Sequence, residues 1–312
     1  MGKNTKKEKQ KENSNLNKPS LPAYLIPQVN QSNVLAREGV SDATLNEWKI
    51  MLWLMSLQDS KKDDYFLPIQ VDYEVISAFF KGCGSQKMTG SLKGYITKLF
   101  DDLLTKTYRI IGEDDSYEGY TWFSSIKTTG NFVSGNVTFT FNSTLVPHLL
   151  NLNGNYSRAE LGSHLSFKTA YSIRLYSMLN SEKYRGTATY EINHFKRCIG
   201  AYDSVSQTAK YNNFKDFKKR VLNPSIKEIN EKSDINVSIE MIRCKEDARR
   251  IYGFKFKIVE KETFVPEFCG PPIFSEVSAV FDKSLGRCVD KRIVKLKYTP
   301  ADEMEMPPHT HD

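Results

Sequence analysis

Asn212–Lys232 reads NNFKDFKKRVLNPSIKEINEK. At about 100° per residue, Phe214, Phe217 and Val221 share one side of a helix and point inward. Lys215, Lys219 and Arg220 lie away from that side, and Lys218 flanks it. Asn213 is placed to cap the first turn, because its short side-chain oxygen can accept an orphan N–H there. Pro224 lacks an N–H donor, so a bend is expected near it. From Lys210 to Lys227 the basic residues are Lys210, Lys215, Lys218, Lys219, Arg220 and Lys227, and Asp216 is the single acid.

The segment C-terminal to this helix gives the charge its meaning. Ile235–Ile242 and Tyr252–Val259 read as the two arms of a β-hairpin around the charged tip CKEDARR. Residues 253–258, GFKFKI, alternate apolar and polar, as one solvated sheet face requires. The tip carries Arg243, Lys245, Arg249 and Arg250 together with Glu246 and Asp247. Before the helix, Thr187–Ile192 is β-like, and Asn193 can cap a short helix that ends near Gly200. Strand, helix, helix and hairpin in that order make a winged helix. Its second helix suits the major groove and its hairpin the DNA backbone or minor groove. A lysine cluster alone is usually a solvated helix face. The basic hairpin beside this one points to DNA.

The same element order occurs earlier. Tyr65–Val71 is β-like, Asp72 can cap a short helix through Phe80, and Thr89 or Ser91 can cap a longer one through Leu103. Tyr120–Ile126 and Asn136–Phe141 then form a hairpin. Upstream, Thr44 and Glu47 have capping-box spacing. Leu45, Trp48, Leu52 and Met55 follow at helical intervals, so Trp48 and Trp53 read as packing residues. Residues 166–181 read as a helix linking the two units.

The expected fold class is α+β: two tandem winged-helix domains joined by a helix. The boundaries are a disordered basic tail over 1–24, an N-terminal winged-helix domain over 25–165, a linking helix over 166–184 and a C-terminal DNA-binding winged helix over 185–261. An irregular C-terminal extension of unassigned role covers 262–312, with a β-like stretch at Arg292–Tyr298.

Bulk properties agree with a protein that binds a polyanion. The chain has 312 residues, a net charge of +7 and 39% hydrophobic residues, enough for two cores. The five cysteines are widely spaced with no CxxC pair, so free buried thiols in a reducing cytosol are expected. The polar start and the short apolar runs suggest neither a secretory signal nor a membrane span, so the expected location is the cytoplasm.

AYSIRLYSMLNSEKY (Ala170–Tyr184) and FKDFKKRVLNPSIKEINEK (Phe214–Lys232), with the hairpin ending in YGFKFKI after them, resemble the initiator replication proteins of iteron-regulated plasmids. The resemblance spans roughly residues 30–260. It implies that the C-terminal unit reads directly repeated origin sites in double-stranded DNA. The N-terminal unit would contact neighbouring DNA or pair subunits. It also implies monomers that open the origin, dimers that repress their own promoter or couple origins to limit copy number, and a host initiator, helicase and chaperones as partners. The DFKKR motif carries over as Asp216, Phe217, Lys218, Lys219 and Arg220. Members often have several arginines there; lysine contributes a point charge in place of a planar fork. The DNA-binding candidates are Lys210, Asn213, Lys215, Lys218, Lys219, Arg220, Arg243, Lys245, Arg249 and Arg250.

No catalytic residue, cofactor or metal is expected. A rolling-circle nuclease needs a His-x-His pair on a strand, and the one such pair, His309 and His311, lies in a Pro-flanked end. No P-loop is present. A winged-helix transcriptional regulator without a replication role remains an alternative, as does a protein-interaction module.

Overall fold

The computed structural model describes residues 27–83, 92–111, 116–130, 135–203, 208–245, 247, 249–264, 273–282 and 285–296. The tail over 1–24, the capping candidates Thr89 and Ser91, Cys269 and the end of the chain lie outside the described residues.

In the first half, β1 (Gln28–Ser32), α1 (Asn33–Glu38), β2 (Gly39–Val40) and α2 (Leu45–Ser56) precede the winged-helix core. That core comprises β3 (Ile69–Asp72), α3 (Tyr73–Gly82), α4 (Leu92–Thr105), β4 (Thr107–Ile111), β5 (Tyr117–Thr121), β6 (Phe123–Thr129) and β7 (Asn136–Phe141). A short helix α5 (Val146–Leu149), β8 (Tyr156–Glu160) and α6 (Leu161–Ser166) complete it, with β8 antiparallel to β1.

The Thr44 capping box forms on both sides: the Glu47 N–H donates to the Thr44 hydroxyl and the Thr44 N–H to the Glu47 carboxylate at 2.7 Å. Trp53 stacks on Phe79 with ring centroids 4.5 Å apart, and Trp48 meets Trp122 edge-on at 6.0 Å. Both tryptophans of α2 are core, as their spacing indicates.

Three local expectations shift. The first strand begins at Ile69 rather than Tyr65, because Pro68 has no N–H to enter a ladder. The expected strand Tyr120–Ile126 is two strands, β5 and β6. Trp122 is buried against Trp48 and Tyr108, and the chain changes sheets at that residue. Asp72 stands at the N-terminus of α3 without a side-chain capping bond.

α7 (Ala170–Ser181), capped by the Thr169 hydroxyl on the Ser172 N–H, is buried along nearly its whole length. Both halves pack on it. On one side, Arg174 is 2% exposed and donates to the carbonyls of Ala36 (3.3 Å), Gly39 (2.5 Å) and Cys198 (3.2 Å). On the other, the Tyr176 hydroxyl donates to Asp234 at 2.6 Å and the Ser172 hydroxyl to Glu228 at 2.6 Å. Gly39 is required at its position: a Cβ there would sit 1.1 Å from the Tyr108 hydroxyl.

The second winged helix comprises β9 (Thr187–Glu191), α8 (Ile192–Cys198), a small hairpin of β10 (Tyr202–Asp203) and β11 (Thr208–Ala209), then α9 (Phe214–Phe217), a π-helical turn (Lys218–Leu222) and α10 (Asn223–Lys232). The wing is β12 (Ile235–Arg243) and β13 (Ile251–Glu260), in an antiparallel sheet ordered β12-β13-β9. Its core is aromatic: Phe195, Phe217, Phe254 and Phe256 are fully buried. The N-cap of α8 is Glu191 rather than Asn193; its carboxylate accepts from the Asn193 and His194 N–H groups at 2.8 Å. Gly200, at φ +80°, ends that helix in the left-handed region expected for it.

The extension over 262–312 is more regular than expected. β14 (Ile273–Asp282) and β15 (Arg287–Leu296) form an antiparallel hairpin. β15 also runs parallel to β3, pairing Arg292–Val294 with Ile69–Val71. The sheet of the first domain is therefore ordered β14-β15-β3-β7-β6. An ion pair between Arg292 and Asp63 at 2.7 Å and a Lys291–Gln70 hydrogen bond at 2.8 Å fasten it. The strand forms there because β3 would otherwise leave one row of backbone donors and acceptors unpaired.

Candidate nucleic-acid interface

The second domain positions its basic residues through two devices, an anchored helix start and a wide turn. Asn213 caps as expected, its side-chain oxygen accepting the Lys215 N–H at 2.8 Å. Phe214 stacks on Phe254 of the wing at 6.1 Å, tying the start of the helix to β13. Lys196, on α8, was not foreseen as part of this region. It is buried, its ammonium donates to the Tyr211 carbonyl at 3.1 Å and it lies over the Phe217 ring. Burial lowers its pKa, with Glu191 opposing. A lysine on the first helix of such a motif is the signal that could have found it.

The bend expected at Pro224 takes the form of the π-turn. Pro224 cannot donate to the Arg220 carbonyl, and its ring would crowd that carbonyl in an α-helix. The chain widens, and the Asn223 N–H bonds the Lys218 carbonyl instead. Phe217 and Leu222, five positions apart, are then both fully buried, as is Val221. Lys219 and Arg220 are exposed on the outside of this turn, with Lys218 half-buried and Lys215 exposed one turn earlier. Among the described residues none of these four cations has an ion-pair partner. π-Turns of this kind are frequent at functional sites.

Lys210 is exposed but donates to the Gly200 carbonyl at 3.1 Å, so it also braces the end of α8. Asp216 sits in the first turn, where a carboxylate favours the helix dipole. At the wing tip, Arg243, Lys245, Arg249 and Arg250 are exposed. Asp247 is held by the turn: its carboxylate accepts the Arg249 N–H at 2.9 Å and its carbonyl the Arg250 N–H at 3.0 Å. Glu246 lies outside the described residues. The structure thus leaves Lys215, Lys219 and Arg220 exposed along α9 and the π-turn, and the wing candidates at the end of the hairpin whose Phe254 packs on Phe214.

Residues 28–180 match the family model for "Initiator Replication protein, WH1", and residues 204–258 that for "Initiator Rep protein, WH2". The chain belongs to the plasmid replication initiator Rep family. Both winged helices seen in the fold are the ones this family carries, and this initiator acts in plasmid replication by binding DNA. The first match runs through α7, so the family's first unit includes most of the linking helix.

Other ionisable groups of the initiator lie between its domains. Arg37 pairs with Glu182 at 2.6 Å and His194 with Glu38 at 2.9 Å. Hydrogen bonds to Cys198 and Glu38 push the His194 pKa up to about 10. Burial holds His164 down at about 4; it lies between the Glu160 carbonyl at 3.2 Å and the Ser177 hydroxyl at 3.1 Å. Burial, then the Asp234 charge, raises Glu160 to about 7. Four of the described cysteines form no disulfide; Cys198 is buried, Cys83 and Cys244 are half-buried and Cys288 is exposed, so among the described residues the expectation of a buried thiol holds for Cys198 alone. No helix among the described residues is long and apolar enough to cross a membrane.

Proposed function

We propose that this initiator binds directly repeated sites, iterons, at its plasmid origin and helps open the adjacent duplex. The observation that supports the reading is the outward row Lys218, Lys219 and Arg220 on the π-turn, without ion-pair partners among the described residues and next to a basic wing. In this reading the π-turn residues face base edges and the wing cations Arg243, Lys245, Arg249 and Arg250 face phosphates. The protein has no catalytic activity of its own. Melting is driven by binding energy and by a host initiator, helicase and chaperones. Dimers repress the initiator's own promoter, and the protein works in the bacterial cytoplasm on DNA.

A gel-shift titration with footprinting on the DNA flanking its own gene tests this. Evenly spaced, phased complexes on direct repeats are expected. A single protected inverted repeat would make the protein a transcriptional regulator, and binding that is absent or indifferent to salt would end the DNA reading.

A further inference from the structure

We propose that Glu38, His194 and Cys198 form a zinc site that clamps the two winged-helix domains together. One ligand atom from each lies within 4.8 Å of the other two. The His194 Nε2 is 2.9 Å from Glu38 Oε2 and 3.4 Å from Cys198 Sγ. Zinc bonds of about 2.0–2.3 Å at tetrahedral angles put ligand atoms roughly 3.3–3.8 Å apart, so small side-chain rotations suffice.

The donor set is the right chemistry. His194 and Cys198 stand four residues apart on α8 and so share a face. Glu38 comes from the last position of α1 in the other domain. Imidazole and thiolate favour zinc over magnesium or calcium. Zinc would displace the proton on the His194 imidazole and that of the Cys198 thiol into solvent, and the resulting thiolate and the Glu38 carboxylate together neutralise the divalent ion.

Two further observations point to a ligand. First, one buried guanidinium holds both ligand-bearing elements in place. Arg174 donates to Ala36 and Gly39, which flank Glu38, and to the carbonyl of Cys198 itself. Such preorganisation is what a metal site needs from its surroundings. Second, the Tyr190 hydroxyl is buried with no hydrogen-bond partner among the described residues. Tyr190 lines the same cleft as Glu38 and His194, about 610 Å³ in volume and open to solvent. Three protein ligands and a water make a complete tetrahedral site.

The test uses the full chain, stripped with a chelator and titrated with zinc against a competing chromophoric chelator, then with cobalt(II). One zinc per chain is expected, and the cobalt form should show a thiolate-to-metal charge-transfer band. Glu38→Gln is the central variant, because its half-exposed side chain can be changed without opening the core. It should weaken zinc binding roughly 100-fold or more, beyond the usual effect of a neighbour that only orients a ligand. Cys198→Ser should abolish the charge-transfer band, and Cys288→Ser should retain it. The proposal is overturned if the wild-type chain takes up no stoichiometric zinc, or if Glu38→Gln and Cys198→Ser bind as it does. It is equally overturned if binding is lost instead in a His309→Asn, His311→Asn double variant.

Discussion

Lys219 and Arg220 carry the sharpest expectation at the scale of single residues. Exposed on the π-turn, each is free to donate to a base edge or phosphate. Either Lys219→Ala or Arg220→Ala should weaken specific binding by roughly 1–3 kcal/mol where a base contact is lost. A competition titration of origin repeats against scrambled DNA reads this, and an unchanged specificity ratio would remove that residue from base reading. Arg249→Ala at the wing tip should weaken all sequences alike and lower the salt slope by about 1. If it altered a single base preference, the division of labour between helix and wing would be wrong. His164 makes a different prediction. Its folded pKa, about 4, lies below the ordinary value of 6.5. The stability it contributes is present above pH 6.5 and is lost as pH falls through 4. At about 1.4 kcal/mol per tenfold, that loss is on the order of 3 kcal/mol. Glu160, raised to about 7, works in the opposite direction, losing stability as pH rises from 4.5 through 7. The measurement is therefore the difference between wild type and His164→Gln in urea midpoints from pH 7 to 4. Equal acid losses would mean that the imidazole is not kept neutral in the fold. The exposed cations were legible in the sequence because charge on a helix face is a local property. Lys196, buried against Phe217 of α9, was not, since its environment comes from Tyr211 and Phe217 further along the chain.

At the scale of elements, the basic helix over Phe214–Lys232 differs most from its reading. Apolar spacing and the Asn213 cap were enough to place it. Pro224 signalled an irregularity, but a bend and a π-turn satisfy the same missing N–H. The burial of Leu222 beside Val221 selects the wider turn. Pro224→Ala restores the donor to the Arg220 carbonyl and permits an ordinary α-turn, which rotates Lys218, Lys219 and Arg220 relative to the buried face. Helix content by circular dichroism should hold, while affinity for origin repeats falls about tenfold, the scale of one good base contact. Unchanged affinity would mean that the π-turn does not set the reading geometry. The hairpins came from period-2 alternation, and the wing arms agree with the structure to within two residues. The split at Trp122 was hidden, because the pull of Trp48 and Tyr108 on that side chain is not written in its neighbours.

Across the whole molecule, the C-terminal hairpin makes the first domain depend on the last described segment of the chain. Deleting residues 273–312 removes β15 from the edge of β3 and leaves Asp63 without Arg292. The melting temperature should drop by roughly 5 °C or more, and self-association should rise because an open strand edge is exposed. Calorimetry with sedimentation checks both, and a truncated chain that melts and sediments like the full one would mean that the hairpin is not part of the domain. Local signals in the sequence determined the two winged helices, their order, the helix between them and the exposed cations on α9 and the π-turn. Periodicity, caps and charge clusters act over a few residues, so a linear reading captures them. Tertiary structure alone decided that β15 pairs with β3, that Arg174 binds carbonyls from both domains, and that Glu38 meets His194 and Cys198. Each joins segments more than a hundred residues apart or on different domains. Such contacts are selected by the packing of the whole fold, and no spacing along the chain encodes them.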